Sequence, residues 1–184
     1  MNCILLTLFN LCFASAIAQL SDQDIRGLKS GSIKDDSTYV YWLPYEKGES
    51  YLLVQAANSK MSHKNELAYD FKMKKGSKIC AARGGIVMDA RSNSNKGGLK
   101  PGNLSDGNYI IILHEDDSKA YYWHLEQNGV FVKPGDTVQQ GQAIGLSGNT
   151  GYTAFPHLHF QVFVITGINI WIDYTTVEVE NFIG

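Results

Sequence analysis

Glycine and paired turn residues cut the chain beyond about residue 39 into short apolar runs, and no window keeps a helical hydrophobic period for the length of an ordinary helix. Backbone polar groups still need partners, so such a chain must pair its runs as strands. Residues 39–43 and 51–54 flank Glu46-Lys47-Gly48-Glu49 as arms of a hairpin. Residues 78–82 and 85–89 follow, then residues 109–114 and 120–124 bracket an Asp116-Asp117-Ser118 turn. Between them, residues 92–103 form a Gly/Asn/Ser/Lys loop that composition marks as flexible. Pro134-Gly135 suits a type II turn, because proline presets the first central φ and glycine accepts the positive second one. The expected fold is all-β: a single domain of short antiparallel strands in an open two-sheet sandwich with a groove and little helix.

The first residues, Met1-Asn2-Cys3-Ile4-Leu5-Leu6, open an apolar stretch that ends at Ala16-Ile17-Ala18. This reads as a secretory signal cleaved after Ala18, although only the terminal amine supplies positive charge to its n-region. Gln19, Ser21, Asp22 and Asp24 interrupt it too early for a membrane span, which needs about 20 apolar residues. Residues 19–38 read as a polar N-terminal arm with a capping-box start at Ser21, and residues 39–184 as the folded domain. Two of the three cysteines fall in the leader, so Cys80 has no internal disulfide partner, and stability must come from packing or metal. Sixteen basic residues against 18 acidic ones leave no electrostatic case for nucleic acid or an anionic membrane as partner. Nothing in the sequence sets an oligomeric state.

The chain has five histidines, and His157 and His159 stand one residue apart at the entry to a strand-like run. Alternation along a strand puts both imidazoles on one face, about 6.5 Å apart, within reach of one metal ion. Asp70 lies among Tyr69, Phe71 and Met73, where a carboxylate is costly to bury unless a cation or metal pairs with it; facing water from a strand edge is the plainer alternative. His63 precedes it, and His124 closes the Tyr121-Tyr122-Trp123 run, where it also suits the rim of an aromatic hairpin. His114, beside Glu115, Asp116 and Asp117, reads as solvated.

Together these pieces resemble the lysostaphin-type zinc endopeptidases, the M23 or LytM-like family that cleaves peptidoglycan. The resemblance rests on His63 and Asp70, on residues 76–81, on Tyr122-Trp123-His124-Leu125, on the glycine-punctuated run 132–151, and on His157-Leu158-His159-Phe160. It spans roughly residues 62–164. The long glycine run joined to His-Leu-His-Phe is its most specific part. The resemblance implies one zinc ligated by His63, Asp70 and His159, with His124 and His157 as the catalytic pair. Three protein ligands leave a fourth position open, as in catalytic rather than structural zinc sites. Spacing alone does not make this division, since His157 and His159 are equally placed for a three-histidine site. Six residues separate His63 from Asp70 where the family's usual motif has three, a spacing shared with related D-Ala-D-Ala-type metallopeptidases. Glu66, four residues before Asp70, is the alternative ligand.

By this resemblance the chain is a secreted or periplasmic zinc metalloendopeptidase acting on peptidoglycan peptides. One of His124 and His157 accepts a proton and the other supports the oxyanion, in an order the sequence leaves open. Tyr152, Thr153 and Phe155, with the 92–103 loop, are candidates to wall a peptide groove, or simply to pack it. The competing reading is a catalytically silent LytM-like regulator or scaffold of another wall enzyme, against which all five positions are retained. A lipoyl- or biotinyl-carrier hairpin, suggested by Val132 to Gly141, lacks the modifiable lysine it would need at its tip.

Overall fold

The computed structural model describes residues 23, 26–27, 30–32, 40–56, 59–63, 68–166 and 171–173. The leader at residues 1–18 and Glu66 lie outside them. Gln23, Arg26, Gly27 and Ser30 are helical, in the segment where the sequence suggests a helical turn. Among the described residues no helix is long and apolar enough to cross a membrane.

The larger sheet runs in the order β1 (Leu52–Gln55), β2 (Ala68–Lys72), β12 (His157–Thr166), β7 (Ser118–Trp123), β6 (Tyr109–Leu113), β4 (Gly85–Arg91) and β9 (Thr137–Val138), and β13 (Trp171–Asp173) also pairs with β12. All of its ladders are antiparallel. A smaller antiparallel sheet holds β3 (Lys78–Cys80), β10 (Ala143–Ser147) and β8 (Leu125–Val130). The all-β, open-sheet expectation therefore holds. One parallel pair departs from it, β5 (Gly97–Gly98) against β11 (Gly151–Tyr152).

Strand β12 explains how the two faces divide. Leu158, Phe160 and Val162 alternate to one side and are fully buried, while His157, His159 and Gln161 take the other. Across the ladders Phe71, Tyr122, Ala120, Ile110 and Ile112 share the apolar side, and they pack with Ile79, Ile144 and Leu125 of the smaller sheet into one core. Each such fully buried side chain contributes roughly 1.5–3 kcal/mol. The hydroxyl of buried Tyr122 accepts a hydrogen bond from the Ala82 amide at 2.8 Å, so the core encloses a polar atom without leaving it unpaired.

Two local expectations change. The turn at residues 46–49 forms, with the Glu49 amide bonded to the Glu46 carbonyl at 3.1 Å, but among the described residues its flanks do not pair as a hairpin. Instead β1 joins β2, while Tyr45 bridges Ile79 and the Trp42 amide reaches the Ala82 carbonyl. The anchor is Tyr41, which is buried and holds Ser118 through its hydroxyl at 2.6 Å.

The 92–103 loop is also built rather than loose. It contains β5, and a 3-10 helix, Pro101–Asp106, follows it with proline in its first turn. The fully buried Asn108 staples its start: the side chain accepts from the Ser94 amide at 3.0 Å and donates to the Ser94 carbonyl at 2.8 Å. Composition reports how easily a segment bends, whereas a buried amide fourteen residues along the chain from Ser94 decides whether it does.

Candidate metal and catalytic centre

Asp70 stands in the middle of β2, and the antiparallel register sets His159 of β12 directly opposite it, with Trp123 of β7 on the far side of His159. Side chains of directly opposed residues project to the same face, so the carboxylate and imidazole meet. Nδ1 of His159 lies 2.9 Å from Oδ1 of Asp70. His63 arrives from the segment before β2, buried, with Nε2 3.2 Å from Oδ2 of the same carboxylate. One donor atom from each of His63, Asp70 and His159 lies within 4.8 Å of the others. Two imidazole nitrogens and a carboxylate oxygen, largely buried, make a donor set of the kind that suits zinc.

Burial by itself would raise the Asp70 pKa. The hydrogen bonds from His159 and His63, reinforced by the charges of His159 and His157, overcome that and hold the carboxyl well below the usual carboxylate range. An anionic carboxylate between two imidazoles is the state a cation requires.

His157 and His124 lie beside this trio. His157 is on the same face of β12, with Nε2 3.6 Å from Oδ1 of Asp70, and its ring centroid is 4.6 Å from that of His124. His124 reaches the site by an unusual backbone step, φ 66°, between the end of β7 and the start of β8. This left-handed conformation costs a non-glycine residue about 1–2 kcal/mol. It breaks the strand alternation, so Leu125 enters the core while His124 faces the site.

Both imidazoles are held at Nδ1. That atom of His124 lies 2.7 Å from the Thr150 carbonyl, and that of His157 lies 2.8 Å from the Phe155 carbonyl. A carbonyl only accepts, so Nδ1 carries the proton in each ring, and in the neutral form Nε2 is a bare acceptor. Burial, aided by the neighbouring His157 and His159, pushes the His124 pKa down to about 3, and burial likewise lowers that of His157. Both rings are therefore neutral at pH 7 with an acceptor at Nε2, although the lowered pKa weakens each of them as a base.

The supporting residues are ones sequence reasoning did not single out. Thr150 donates its hydroxyl to the Leu125 carbonyl at 2.7 Å and accepts from the Asn108 amide at 2.9 Å, which fixes the carbonyl that orients His124. Its only sequence signal was membership in the glycine-punctuated run. Gln55 of β1 donates to Oδ2 of Asp70 at 2.7 Å, and nothing in the sequence pointed to it.

Of the candidate groove residues, Tyr152 and Phe155 are 45% and 37% exposed, and the Phe155 ring stands 5.2 Å from that of His157. Thr153 is buried, and its hydroxyl donates to the Phe155 carbonyl at 2.8 Å, so it shapes the loop from within. Leu99 and Leu104 are exposed on the neighbouring 97–106 stretch, which the β5–β11 pairing holds against the 149–155 loop.

The expectation that His114 is solvated is corrected: it is only 3% exposed. Its Nδ1 donates to the Gly84 carbonyl at 2.8 Å and its ring packs edge-on against Tyr41, while Glu115 and Asp116 turn toward Arg83. A charged neighbourhood in sequence did not place this ring in water, because Arg83 draws the charges off it.

Over part of its length the chain is similar to known peptidases. The chain is 36% identical over 95 residues to the peptidoglycan DD-endopeptidase ShyA of Vibrio cholerae, covering 52% of this chain and 19% of that protein. It is 40% identical over 92 residues to lysostaphin of Staphylococcus simulans, covering 50% of this chain and 17% of that protein. The chain thus spans only about a fifth of the length of these relatives. The fold resembles the catalytic domain of a point mutant of the prophage-encoded M23 protein EnpA from Enterococcus faecalis, with TM-score 0.54, 21% identity, and coverage of 73% of this chain and 96% of that one. The sequence model of Peptidase family M23 matches residues 63–170, more than half of the chain, and the protein belongs to that family.

Proposed function

We propose that the protein is a zinc-dependent endopeptidase that hydrolyses peptide bonds in the cross-links or stems of peptidoglycan. The observation that carries this reading is the convergence of His63, Asp70 and His159 on one point, with His124 and His157 beside it, each held at Nδ1 by a backbone carbonyl. The peptidoglycan substrate is supported by the names of relatives such as the DD-endopeptidase ShyA. A peptidoglycan substrate also places the working enzyme outside the cytoplasm.

In this reading His63, Asp70 and His159 hold the ion. Zinc, when bound, supplies a Lewis acid that polarises a carbonyl and brings the pKa of a water near 7. The chain's own groups do the rest. His124 or His157 would take up at Nε2 the proton released by the water that attacks the peptide carbonyl, while its Nδ1–H stays on the Thr150 or Phe155 carbonyl. Only after that protonation does the ring have an Nε2–H, which can hydrogen-bond the oxyanion and then pass to the amine nitrogen as the C–N bond breaks. The partly exposed Phe155, its ring 5.2 Å from that of His157, offers an apolar wall to the approaching peptide.

The test is digestion of purified peptidoglycan and of defined cross-linked peptides with the zinc-loaded protein, followed by mass spectrometry of the products. New amino and carboxyl termini that vanish with chelator and return with zinc support the proposal. Stoichiometric zinc without any cleavage would instead favour the silent regulator.

A further inference from the structure

We propose that Gln55 is a positioning residue for this centre, coupling two of the three ligands: its side-chain amide both orients the Asp70 carboxylate and tethers the segment that carries His63. The inference rests on reading the His63, Asp70 and His159 cluster as a metal centre.

The backbone delivers Gln55 to Asp70 by a bulge. Leu52 pairs with Lys72 and Leu53 with Phe71, but the next partner of Asp70 is Gln55, with Val54 as the extra residue. In an unbroken ladder Val54 would face Asp70, and Gln55 would point to the opposite side of the sheet. A bulge of this kind re-aims one side chain, and here it substitutes a hydrogen-bonding amide for an aliphatic group beside a buried carboxylate.

The amide is used at both ends. Its Nε2 donates to Oδ2 of Asp70 at 2.7 Å and lies 2.9 Å from the Ser62 hydroxyl. Its Oε1 accepts from the Ser59 hydroxyl at 2.9 Å, the Ser62 hydroxyl at 3.1 Å and the Ser62 amide at 3.3 Å. The amide orientation follows from its partners, since the carboxylate only accepts and the Ser62 N–H only donates. Ser62 immediately precedes His63, so the same side chain that restrains Asp70 also restrains the backbone next to His63.

Glutamine suits this position for a reason of charge. A lysine or arginine would neutralise Asp70 and repel a divalent cation, whereas a neutral amide donates one hydrogen bond and leaves the carboxylate anionic. Groups that orient ligands in this way are worth roughly 10–100-fold in metal affinity.

The experiment measures zinc affinity of the full chain by competition with a chromogenic chelator, for the wild type, Gln55→Met and Ser62→Ala, alongside circular dichroism and thermal unfolding of the metal-free proteins. Gln55→Met keeps the length and removes the donor. The expected result is zinc binding weakened about 10–100-fold in folded Gln55→Met, a smaller loss in Ser62→Ala, and peptidoglycan cleavage by Gln55→Met that recovers as free zinc is raised. A residue that only supports the fold would lower the unfolding temperature without moving the affinity of the folded protein. Folded Gln55→Met that binds zinc within twofold of the wild type would overturn the proposal. Should that variant not fold, Ser62→Ala decides, and an unchanged affinity there would overturn it too. A wild type that takes up no zinc would defeat the metal-centre reading itself, which separates the two failures.

Discussion

His159 sits directly across the ladder from Asp70, and its Nδ1 lies 2.9 Å from the carboxylate Oδ1. This pairing gives the metal-centre reading its sharpest consequence. Asp70→Ala and His159→Ala should lose zinc, seen as a fall in metal per chain after gel filtration, and lose peptidoglycan cleavage with it. Full zinc content in either variant would rule out that residue as a ligand.

His124 and His157 carry the opposite expectation. Replacing either with Ala should leave zinc bound and cut turnover by about 10²–10⁴-fold, the usual worth of a positioned proton acceptor. Metal content and turnover measured on the same preparation separate the two classes of histidine. Loss of zinc from His124→Ala would contradict its placement outside the ligand set.

Gly107 tests how tightly the site is packed from behind. A Cβ there would run into the indole of Trp123, whose ring is stacked on Tyr109 at a centroid distance of 4.9 Å. Gly107→Ala should destabilise the protein by about 1–3 kcal/mol and reduce cleavage by shifting the residue next to His124. At Gly102 a Cβ would meet nothing within 4 Å, so Gly102→Ala should stay within about 0.5 kcal/mol of the wild type. Urea unfolding of the two variants makes the comparison.

The buried His114 sets a pH dependence of stability. Burial lowers its pKa from the ordinary 6.5, and its Nε2 has no hydrogen-bond partner among the described residues. Below pH 6.5 the unfolded chain therefore binds a proton that the folded chain resists, so stability is full above that value and falls as the pH drops below it. His114→Asn, which keeps a donor for the Gly84 carbonyl, should be less stable at pH 7.5 but lose less between pH 7.5 and pH 5. An equal or steeper loss in the variant would refute this.

Phe155 addresses the groove. Its ring is partly exposed and 5.2 Å from that of His157, so Phe155→Ala should raise KM severalfold with little change in kcat, the pattern of lost ground-state and transition-state binding alike. Steady-state kinetics on a defined stem peptide reads this directly. A fall in kcat at constant KM would mean that the ring positions His157 instead.

The amino-acid sequence by itself determined the class of fold and named the five candidate residues that the fold brings together. Short apolar runs with turn residues between them can only pair as strands, and the alternation of His157-Leu158-His159-Phe160 dictates which side chains share a face, because both are local properties of an extended backbone. The Pro134-Gly135 turn was legible for the same reason, and Gly135 does take a positive φ of 92°. The rest was decided by contacts between residues distant in the chain. Whether residues 39–43 would form a hairpin arm depended on where Tyr41 finds Ser118, and the order of the 92–103 loop on buried Asn108. The burial of His114 depended on Arg83, which draws Glu115 and Asp116 to itself. The aim of His124 came from a left-handed backbone step, and that of Gln55 from a one-residue bulge. No local pattern encodes those last two, since each trades a regular backbone for a hydrogen bond whose partner lies on another strand or loop, and only the assembled tertiary structure supplies that partner.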